Sequence, residues 1–515
     1  MHRWKTGFRM SIMALALLGL VLASAAWAGK KDDTLQVAFT KELESLDRYY
    51  NTAREGIVFA RHVYDNLLFR DPETFEYKGL LAKSFEWEDE LTMNIELRKG
   101  VTFHNGQEMT ADDAVYTLSY AADPDNKVKT QRYSNWIKSV EKTGPYSFTI
   151  HLKYPFPPAL EFLSGANPIY PKDYYQEVGH KGFGVKPIGS GPYKVTEVEP
   201  GKRLVLVKND EYFQDSPKGQ PSIGKIVWRT LPEMNTQVAE LITGSLDWAF
   251  LIPPDQAEKL KAVPNVQVVS AETMRIGYLT FDAANFSEKK HGIDNPFKKV
   301  EVRQAVSHAI NREAIAKNLI GEGSRPVYTP CYPSQLGCIQ EAAKEYPYDP
   351  EKSRLLLASA GYPDGFDCIL YAYRNRPFAE AMVGNLKAVG IDAKLVMMKY
   401  SALRERQRAG KTPMQFLTWG SYSINDVSAI ISNFFEHEAD DITRDPQVKE
   451  WLEAADTELD TAKRKELYGK AITRITEQAY WAPLFTYVSN NCFTEELNFT
   501  PYPDAVPRFF MATWK

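Results

Sequence analysis

The chain has 515 residues, of which 44% are hydrophobic and 25% are charged, and its formal net charge is −4. This length exceeds what one core of typical size accommodates, so we expect at least two lobes. The weakly acidic balance argues against nucleic acid as a partner, because binding to phosphates requires a strongly basic surface.

The N-terminal segment has the three-part layout of a secretory signal. Three basic residues up to Arg9 precede an apolar run from Ile12 to Ala23, and Ala26-Trp27-Ala28 follows as a small-residue cleavage site. The apolar run is shorter than the about 20 residues of a membrane-spanning helix. No cysteine lies near the cleavage site to accept a lipid. We therefore predict a signal peptide over residues 1–28, cleavage after Ala28 and a free periplasmic protein.

Beyond the signal, the chain predicts a strand, a helix, a hairpin and a second helix in that order. Thr34–Phe39 is the strand and Thr52–Leu68 is the helix. Phe85–Trp87 and Thr92–Leu97 then alternate apolar and polar residues, and the acidic turn between them is typical of a hairpin. Thr110 stands three residues before an aspartate, which is the pattern of an N-cap with an acidic first turn.

The later segments alternate strands and helices, as expected for an α/β protein. The strand Cys368–Tyr373, the helix Pro377–Val389 and the strand Ala393–Met398 form a predicted βαβ unit. The other predicted strands are Leu204–Lys208, Lys225–Leu231 and Trp481–Val488, and the other predicted helices are Thr236–Thr243, Val300–Ile310, Arg312–Ile320, Glu351–Ala360, Pro446–Glu458 and Thr461–Gln478.

All four cysteines lie in the part of the chain that we expect to be exported, where thiols can oxidise. Cys331 and Cys338 bracket a short segment with proline and glycine, which favours a disulfide between them. Cys368 and Cys492 either pair or remain buried thiols, and the sequence leaves both possibilities open. The spacing of the first pair and the lack of clustered histidine argue against a zinc site.

A series of sequence patterns occurs in a fixed order along the chain. They are LAxSFEW from Leu81, IELRKGVxFHNG from Ile95, MTADDAVYTL from Met109, PIGSGPY from Pro187, LVLVKNDEYF from Leu204, VRQAVSHAINREAI from Val302, YDPEKSRLLLASAGYPDGF from Tyr348 and LKAVGIDAKL from Leu386. Together they resemble the landmarks of the family 5 extracytoplasmic solute-binding proteins, the receptors of peptide, opine and nickel ABC importers. The resemblance covers nearly the whole chain after the signal.

The resemblance implies an α/β fold of the two-lobed periplasmic binding protein type II (cluster C), with an extra α/β subdomain in the first lobe. We predict lobe I at residues 29–70, 186–275 and 488–515, the extra subdomain at 71–185 and lobe II at 276–487. The chain would cross between the lobes near Ala271–Tyr278 and Tyr487–Cys492. A solute that touches both lobes would favour the closed arrangement.

The turn from Trp419 and Gly420 to Asp426 resembles the family's cleft loop. In the peptide receptors an aspartate three positions after the tryptophan holds the ammonium group of the ligand, but this chain has Tyr422 there. An uncharged phenol cannot replace a carboxylate opposite an ammonium group, so a free peptide N-terminus is less expected unless Asp426 serves instead. The alternative is that Trp419 belongs to the core and Asp426 caps the following helix.

Arg376 resembles the arginine that meets the ligand carboxylate in dipeptide receptors, since a guanidinium gives two-pronged recognition of a carboxylate. Its neighbour Arg374, or a solvated structural role for Arg376, is the alternative. Arg54 is a weaker candidate on lobe I. Arg376, Arg54 and Tyr422 together would suit an acidic solute, such as an opine-like or N-blocked peptide-like molecule, better than a zwitterionic dipeptide.

We therefore predict a receptor, not an enzyme, that captures a peptide or peptide-like solute and delivers it to the permease subunits of an ABC importer in the inner membrane. We expect a monomer that needs no cofactor and no metal. The alternatives are an opine-like acid, an oligosaccharide or a nickel chelate, the last with His437 near the metal. From another class, an exported hydrolase remains, although GxSxG and HExxH patterns are absent from the sequence.

Overall fold

A computed structural model describes residues 30–515, except for the side chain of Tyr422. The predicted signal peptide and its cleavage site after Ala28 lie outside the described residues. None of the helices within residues 30–515 combines the length and apolarity that a membrane crossing requires.

The strands of the described chain range from two to sixteen residues. They are β1 Thr34–Phe39, β2 Leu68–Arg70, β3 Tyr77–Gly79, β4 Ala82–Asp89, β5 Thr92–Leu97, β6 Ile137–Gly144, β7 Ser147–Leu152, β8 Tyr193–Glu199, β9 Arg203–Lys208, β10 Lys225–Thr230, β11 Trp248–Phe250, β12 Val266–Phe281, β13 Phe366–Ala372, β14 Ile391–Met397, β15 Met414–Trp419, β16 Trp481–Thr494, β17 Leu497–Asn498 and β18 Thr513–Trp514.

The α-helices flank these strands along the whole described chain. They are α1 Arg54–Val63, α2 Ala111–Ala122, α3 Ala159–Gly165, α4 Lys172–Phe183, α5 Met234–Thr243, α6 Pro254–Leu260, α7 Phe286–His291, α8 Val300–Ala309, α9 Arg312–Ile315, α10 Pro350–Ser359, α11 Arg376–Lys387, α12 Tyr400–Arg408, α13 Ile431–Phe435, α14 Pro446–Thr457 and α15 Thr461–Glu477.

One ten-stranded sheet runs through the molecule in the order β14-β13-β15-β12-β16-β11-β1-β10-β9-β8. Its two longest strands, β12 and β16, are antiparallel neighbours at the centre, and they remain paired from Val266 with Thr494 to Thr280 with Trp481. At one end β16 also pairs with β11, and at the other end β12 also pairs with β15. The two strands therefore pass together from one half of the molecule to the other.

Separate cores lie on the two sides of this crossing. Around β1, β9 and β10 one core contains Trp228 and Trp248, while the cores around β13 and β15 contain Leu370 and Tyr278. A further four-stranded sheet, β4-β5-β7-β6, has its own core against α2 and falls within the predicted extra subdomain. The predicted α/β, two-lobed fold is confirmed, while the residue limits given for each lobe stay predictions.

Local sequence signals predict most of these elements correctly. Thr110 caps α2, and the Thr110 backbone N–H donates to the Asp113 carboxylate at 2.9 Å. The parallel β13-α11-β14 unit is also present. Two expectations are wrong in extent. The first helix ends at Val63 because the chain turns into the strand β2, and the strand from Trp481 continues past Val488 to Thr494 because it pairs with both lobes.

The four cysteines divide into one disulfide and two thiols. Cys331 and Cys338 form the predicted disulfide. Cys368 lies in β13 against one core of lobe II, whereas Cys492 lies in β16 within a core of lobe I, and both are free thiols. The two thiols therefore do not pair with each other.

Asp247 joins the start of β11 to β1 and generates a prediction about stability. Its carboxylate accepts a hydrogen bond from Gln36 N–H at 2.7 Å, and burial raises its pKa from 3.8 to about 7. A carboxyl group with a raised pKa contributes stability at low pH that is lost as the pH rises through the folded-state value. Asp247→Asn keeps an acceptor but cannot ionise. We expect it to be more stable than the native protein at about pH 8, by on the order of 1–3 kcal/mol.

Urea unfolding between about pH 5 and about pH 8 measures this effect, and the two proteins should diverge as the pH rises. Asp255→Asn, at an exposed aspartate on α6, is the matched control. A stability difference for Asp247→Asn that stays constant over this range would contradict the prediction.

Candidate ligand-binding site

A cavity of about 840 Å³ lies where the two lobes face each other. This volume is within the range of about 300–1,000 Å³ that small-molecule sites occupy. Lobe I contributes the chain after β1, the first turn of α1, the loop after β11 and the segment at Ala505. Lobe II contributes the chain after β13 and the end of β15, and the crossing strands contribute residues on both β12 and β16.

A β-bulge in β12 directs Arg275 into this cavity. Thr273 pairs with Tyr487 and Ile276 pairs with Thr486, so Met274 and Arg275 are two extra residues on β12. A bulge of this kind changes the direction in which a side chain points. The Arg275 guanidinium then donates to Thr418 Oγ1 at 2.8 Å, which fixes it at the end of β15.

Gly420 makes room for this arginine. A Cβ atom on Gly420 would lie 2.9 Å from Nη2 and 3.2 Å from Cζ of Arg275, so the guanidinium would have to shift. Gly420 in the predicted cleft loop thus contributes to the site because it has no side chain and leaves space for Arg275. Trp419 lines the cavity beside it, donates from Nε1 to Ala429 O at 2.8 Å and packs against Phe434. Trp419 is therefore both a cavity residue and part of the lobe II core.

Three arginines converge on the cavity from the two lobes and the crossing strand. Arg54 lies at the start of α1, where it donates to Ala505 O at 2.8 Å, and Arg374 lies just after β13. Burial, followed by the charges of Arg275 and Arg374, lowers the pKa of Arg54 to about 10. Burial and Arg374 likewise lower the pKa of Arg275. Within residues 30–515 none of the three forms an ion pair, so their positive charge faces the cavity.

Arg374, and not Arg376, is the arginine that lines the cavity beyond β13. Asn375 between them has a left-handed backbone with φ 52°, which turns the chain before α11 begins. Arg376 consequently lies on the exposed side of α11 and pairs with Glu380 at 3.3 Å. The assignment of Arg376 to the cavity is corrected, and the alternative, Arg374, takes its place.

Asp426 does not line the cavity either. It is 3% exposed, and its carboxylate binds the Arg464 guanidinium through two contacts of 2.6 and 3.0 Å. It also accepts from Ser428 N–H at 3.1 Å, which caps the following turn. The carboxylate is thus engaged within lobe II, and its hydrogen bond to Ser428 N–H agrees with the alternative interpretation as a cap. The side chain of Tyr422 lies outside the described residues.

The nickel alternative receives no support from the geometry. His437 does not line the cavity, and its backbone N–H binds Asp441. Within the part of the chain that the structure describes, no three His, Cys, Asp or Glu side chains group in a way that could hold a metal ion.

A second set of contacts joins the lobes beside the cavity, and we call it the latch: Arg70, Glu161 and Asp504 on lobe I with Ser423 and Asn425 on lobe II. Asn425 N–H donates to Glu161 Oε1 at 3.0 Å, and Ser423 Oγ donates to Asp504 O at 2.7 Å. Arg70 pairs with both Glu161 and Asp504 and reaches Ser423 O at 3.4 Å. The structure is therefore the closed arrangement.

The lobe I side of the latch is a network of buried charges. Arg508 binds Asp504 at 3.0 Å. Burial alone would raise the pKa of Asp504, but Arg508, Arg70 and Arg61 hold it well below its usual range. Asp504 therefore stays ionised at neutral pH.

Arg275 and Glu55 are cavity residues that the sequence did not place, and it offered Arg374 only as an alternative to Arg376. Glu55, the second residue of α1, lines the cavity and is 6% exposed. The available signal for Arg275 was a lone charge within the apolar run Met274–Phe281 at a predicted crossing between lobes. For Glu55 the signal was only its position beside Arg54, which many exposed helix starts share.

A closable cavity between two α/β lobes on paired crossing strands defines a solute-binding protein. Residues 76–441 match the model of the bacterial extracellular solute-binding proteins, family 5. The chain belongs to this family, and its predicted class, the substrate-binding receptor of an ABC importer, is confirmed.

Similar proteins cover almost the whole chain. The glutathione-binding protein GsiB of Escherichia coli O6:K15:H31 is 29% identical over an alignment of 493 residues that covers 92% of this chain and 93% of that protein. The periplasmic binding protein DppA of Helicobacter pylori, solved with the peptide STSA, is 25% identical with a TM-score of 0.77, over 94% of this chain and 99% of that one. MoaA of A. tumefaciens R10, solved with mannopinic acid, is 24% identical with a TM-score of 0.74, over 94% and 99%.

Ser423→Ala tests whether the latch contributes to closure. The substitution removes one hydrogen bond between the lobes, worth about 0.5–1.5 kcal/mol, which corresponds to about a 2- to 12-fold change in the closed-to-open ratio. We expect small-angle scattering to give a larger radius of gyration for the unliganded variant, ligand affinity to fall by up to this factor, or both.

Ser428→Ala is the matched control. It also removes a serine hydroxyl, but Ser428 Oγ donates to Asp426, which belongs to lobe II like Ser428 itself. Scattering and affinity that are the same in Ser423→Ala, Ser428→Ala and the native protein would show that the latch does not bias closure.

Proposed function

We propose that this protein binds an acidic peptide or peptide-like solute between its lobes and delivers it to the permease. The observation that carries the proposal is the group of three arginines without ion-pair partners, Arg54, Arg275 and Arg374, at the cavity surface. Three cations held close together beside a single carboxylate, Glu55, cost free energy, and an anionic ligand relieves that cost. Guanidinium groups also bind carboxylates with two parallel hydrogen bonds.

The names of similar proteins support a ligand of this chemistry. GsiB is a glutathione-binding protein, and glutathione is an acidic peptide-like molecule. MoaA was solved with mannopinic acid, which is also an acid, and DppA was solved with a short peptide. Of these kinds of ligand, an acidic peptide-like solute fits both the positive charge of the three arginines and the volume of the cavity.

Closure follows from where the arginines lie. Arg54 belongs to lobe I, Arg374 to lobe II and Arg275 to the crossing strand, so one anionic ligand that touches all three is bound better by the closed than by the open arrangement. We propose that the protein acts as a periplasmic monomer, after cleavage of the signal peptide following Ala28, and that the closed form is what the permease subunits receive.

Arg374→Gln and Arg376→Gln form a matched pair that tests the arginine group. Both substitutions remove one positive charge from the same turn, but only Arg374 lines the cavity. Loss of one charge-assisted hydrogen bond should weaken binding of glutathione about 10- to 150-fold in Arg374→Gln, while Arg376→Gln stays within about twofold of the native protein. Isothermal titration calorimetry measures both.

The ligand panel for this experiment contains glutathione, mannopinic acid and the neutral dipeptide Met-Leu. We expect binding of at least one acid and much weaker binding of Met-Leu. Tight binding of Met-Leu with no binding of either acid would contradict the proposed function, as would equal losses in the two arginine variants.

A further inference from the structure

Glu55 is the sole carboxylate among the cavity-lining residues of the described chain, beside four cationic side chains. Its side chain and backbone together are 6% exposed. Within residues 30–515 the Glu55 carboxylate makes no hydrogen bond or ion pair, although Arg54 precedes it in sequence. Arg54 instead donates to Ala505 O at 2.8 Å. Glu55 is therefore a nearly buried charge that faces the cavity without a partner.

An isolated buried carboxylate is costly unless something compensates its charge. Its position in the first turn of α1 helps, because the free amide groups there favour negative charge. That effect is small, and the N-cap residue, Ala53, adds no side-chain hydrogen bond. The charge of Glu55 also raises the pKa of Arg54, so the cavity arginines compensate part of its charge. Within the described chain none of them forms an ion pair with Glu55, and its carboxylate is open to a cation that enters the cavity.

The other carboxylates near the cleft loop are already engaged. Asp426 is held by Arg464, and Asp504 is held by Arg508 and Arg70. Neither lines the cavity. A ligand ammonium group that enters the cavity therefore has Glu55 as its carboxylate partner.

We infer that Glu55 receives an ammonium group of the ligand, so that the solute is an acidic zwitterion: one ammonium group together with more than one carboxylate. This inference rests on the proposed function, because it adds a cationic group to the acidic solute proposed there. The carboxylates of the solute meet Arg275 and Arg374, while its ammonium group lies against the first turn of α1. The ligand is thus oriented by charge at both ends.

The test compares two probes that differ only in the ammonium group, glutathione and N-acetylglutathione, on the native protein and on Glu55→Gln. The native protein should bind glutathione at least about 10-fold more tightly than N-acetylglutathione. Glu55→Gln should lose about 10- to 150-fold for glutathione, change little for N-acetylglutathione and so bind the two alike. Glu42→Gln, at an exposed carboxylate next to the cavity-lining Lys41, controls for net charge.

Stability without ligand separates this role from a structural one. Glu55→Gln should unfold at about the same temperature as the native protein, because the charge it removes is held by no hydrogen bond or ion pair from the described residues. A large loss of stability would show that Glu55 supports the fold and would overturn the inference. Glu55→Asp, which keeps the charge on a shorter side chain, should retain preference for the free amine.

The outcomes distinguish the two proposals. If the native protein binds both probes equally, or if Glu55→Gln keeps the preference for glutathione, the role of Glu55 is wrong while the acidic-solute proposal stands. If the native protein binds neither probe and binds Met-Leu, both proposals fail.

Discussion

The pairing of β12 with β16 is the constraint on which the rest of the molecule depends. These strands are neighbours over their whole length and belong to the sheet of both lobes, so the lobes share a backbone ladder and not only a linker. Hydrogen bonds along the ladder resist separation of the two strands, so the lobes stay in register across the crossing. The bulge at Met274 and Arg275 interrupts the ladder at the level of the cavity, which links the position of a ligand-facing arginine to the geometry of the crossing.

Two opposing effects set the balance between open and closed forms. The latch favours closure through a few hydrogen bonds, each of modest net value because water competes for the same groups in the open form. The arginine group opposes closure, because Arg54 on lobe I lies near Arg275 and Arg374, and burial followed by the charges of these two arginines lowers the pKa of Arg54. In this balance neither effect decides the outcome alone. An anionic ligand changes the sign of the second effect, which is how a small molecule can control the arrangement of two lobes.

The sequence predicts the local structure far better than the site. Thr110 and Asp349 cap their helices through contacts that span three residues, so the pattern contains all the information needed. The disulfide between Cys331 and Cys338 is equally local. Whether Arg374 or Arg376 enters the cavity depends on the left-handed turn at Asn375, which no nearby residue type requires. Asp426 is removed from the site by Arg464, a partner 38 positions away that the sequence gives no reason to connect with it.

The separation of the two thiols has a consequence for redox chemistry. Exported proteins meet oxidants that convert accessible cysteines into disulfides. A disulfide between the lobes would prevent them from opening and releasing a bound ligand. Here the disulfide lies entirely within lobe II, and the remaining thiols belong to different cores. Burial raises the pKa of Cys368 and of Cys492 to about 12, so the reactive thiolate is scarce at neutral pH. Oxidation can thus stabilise one lobe without linking it covalently to the other.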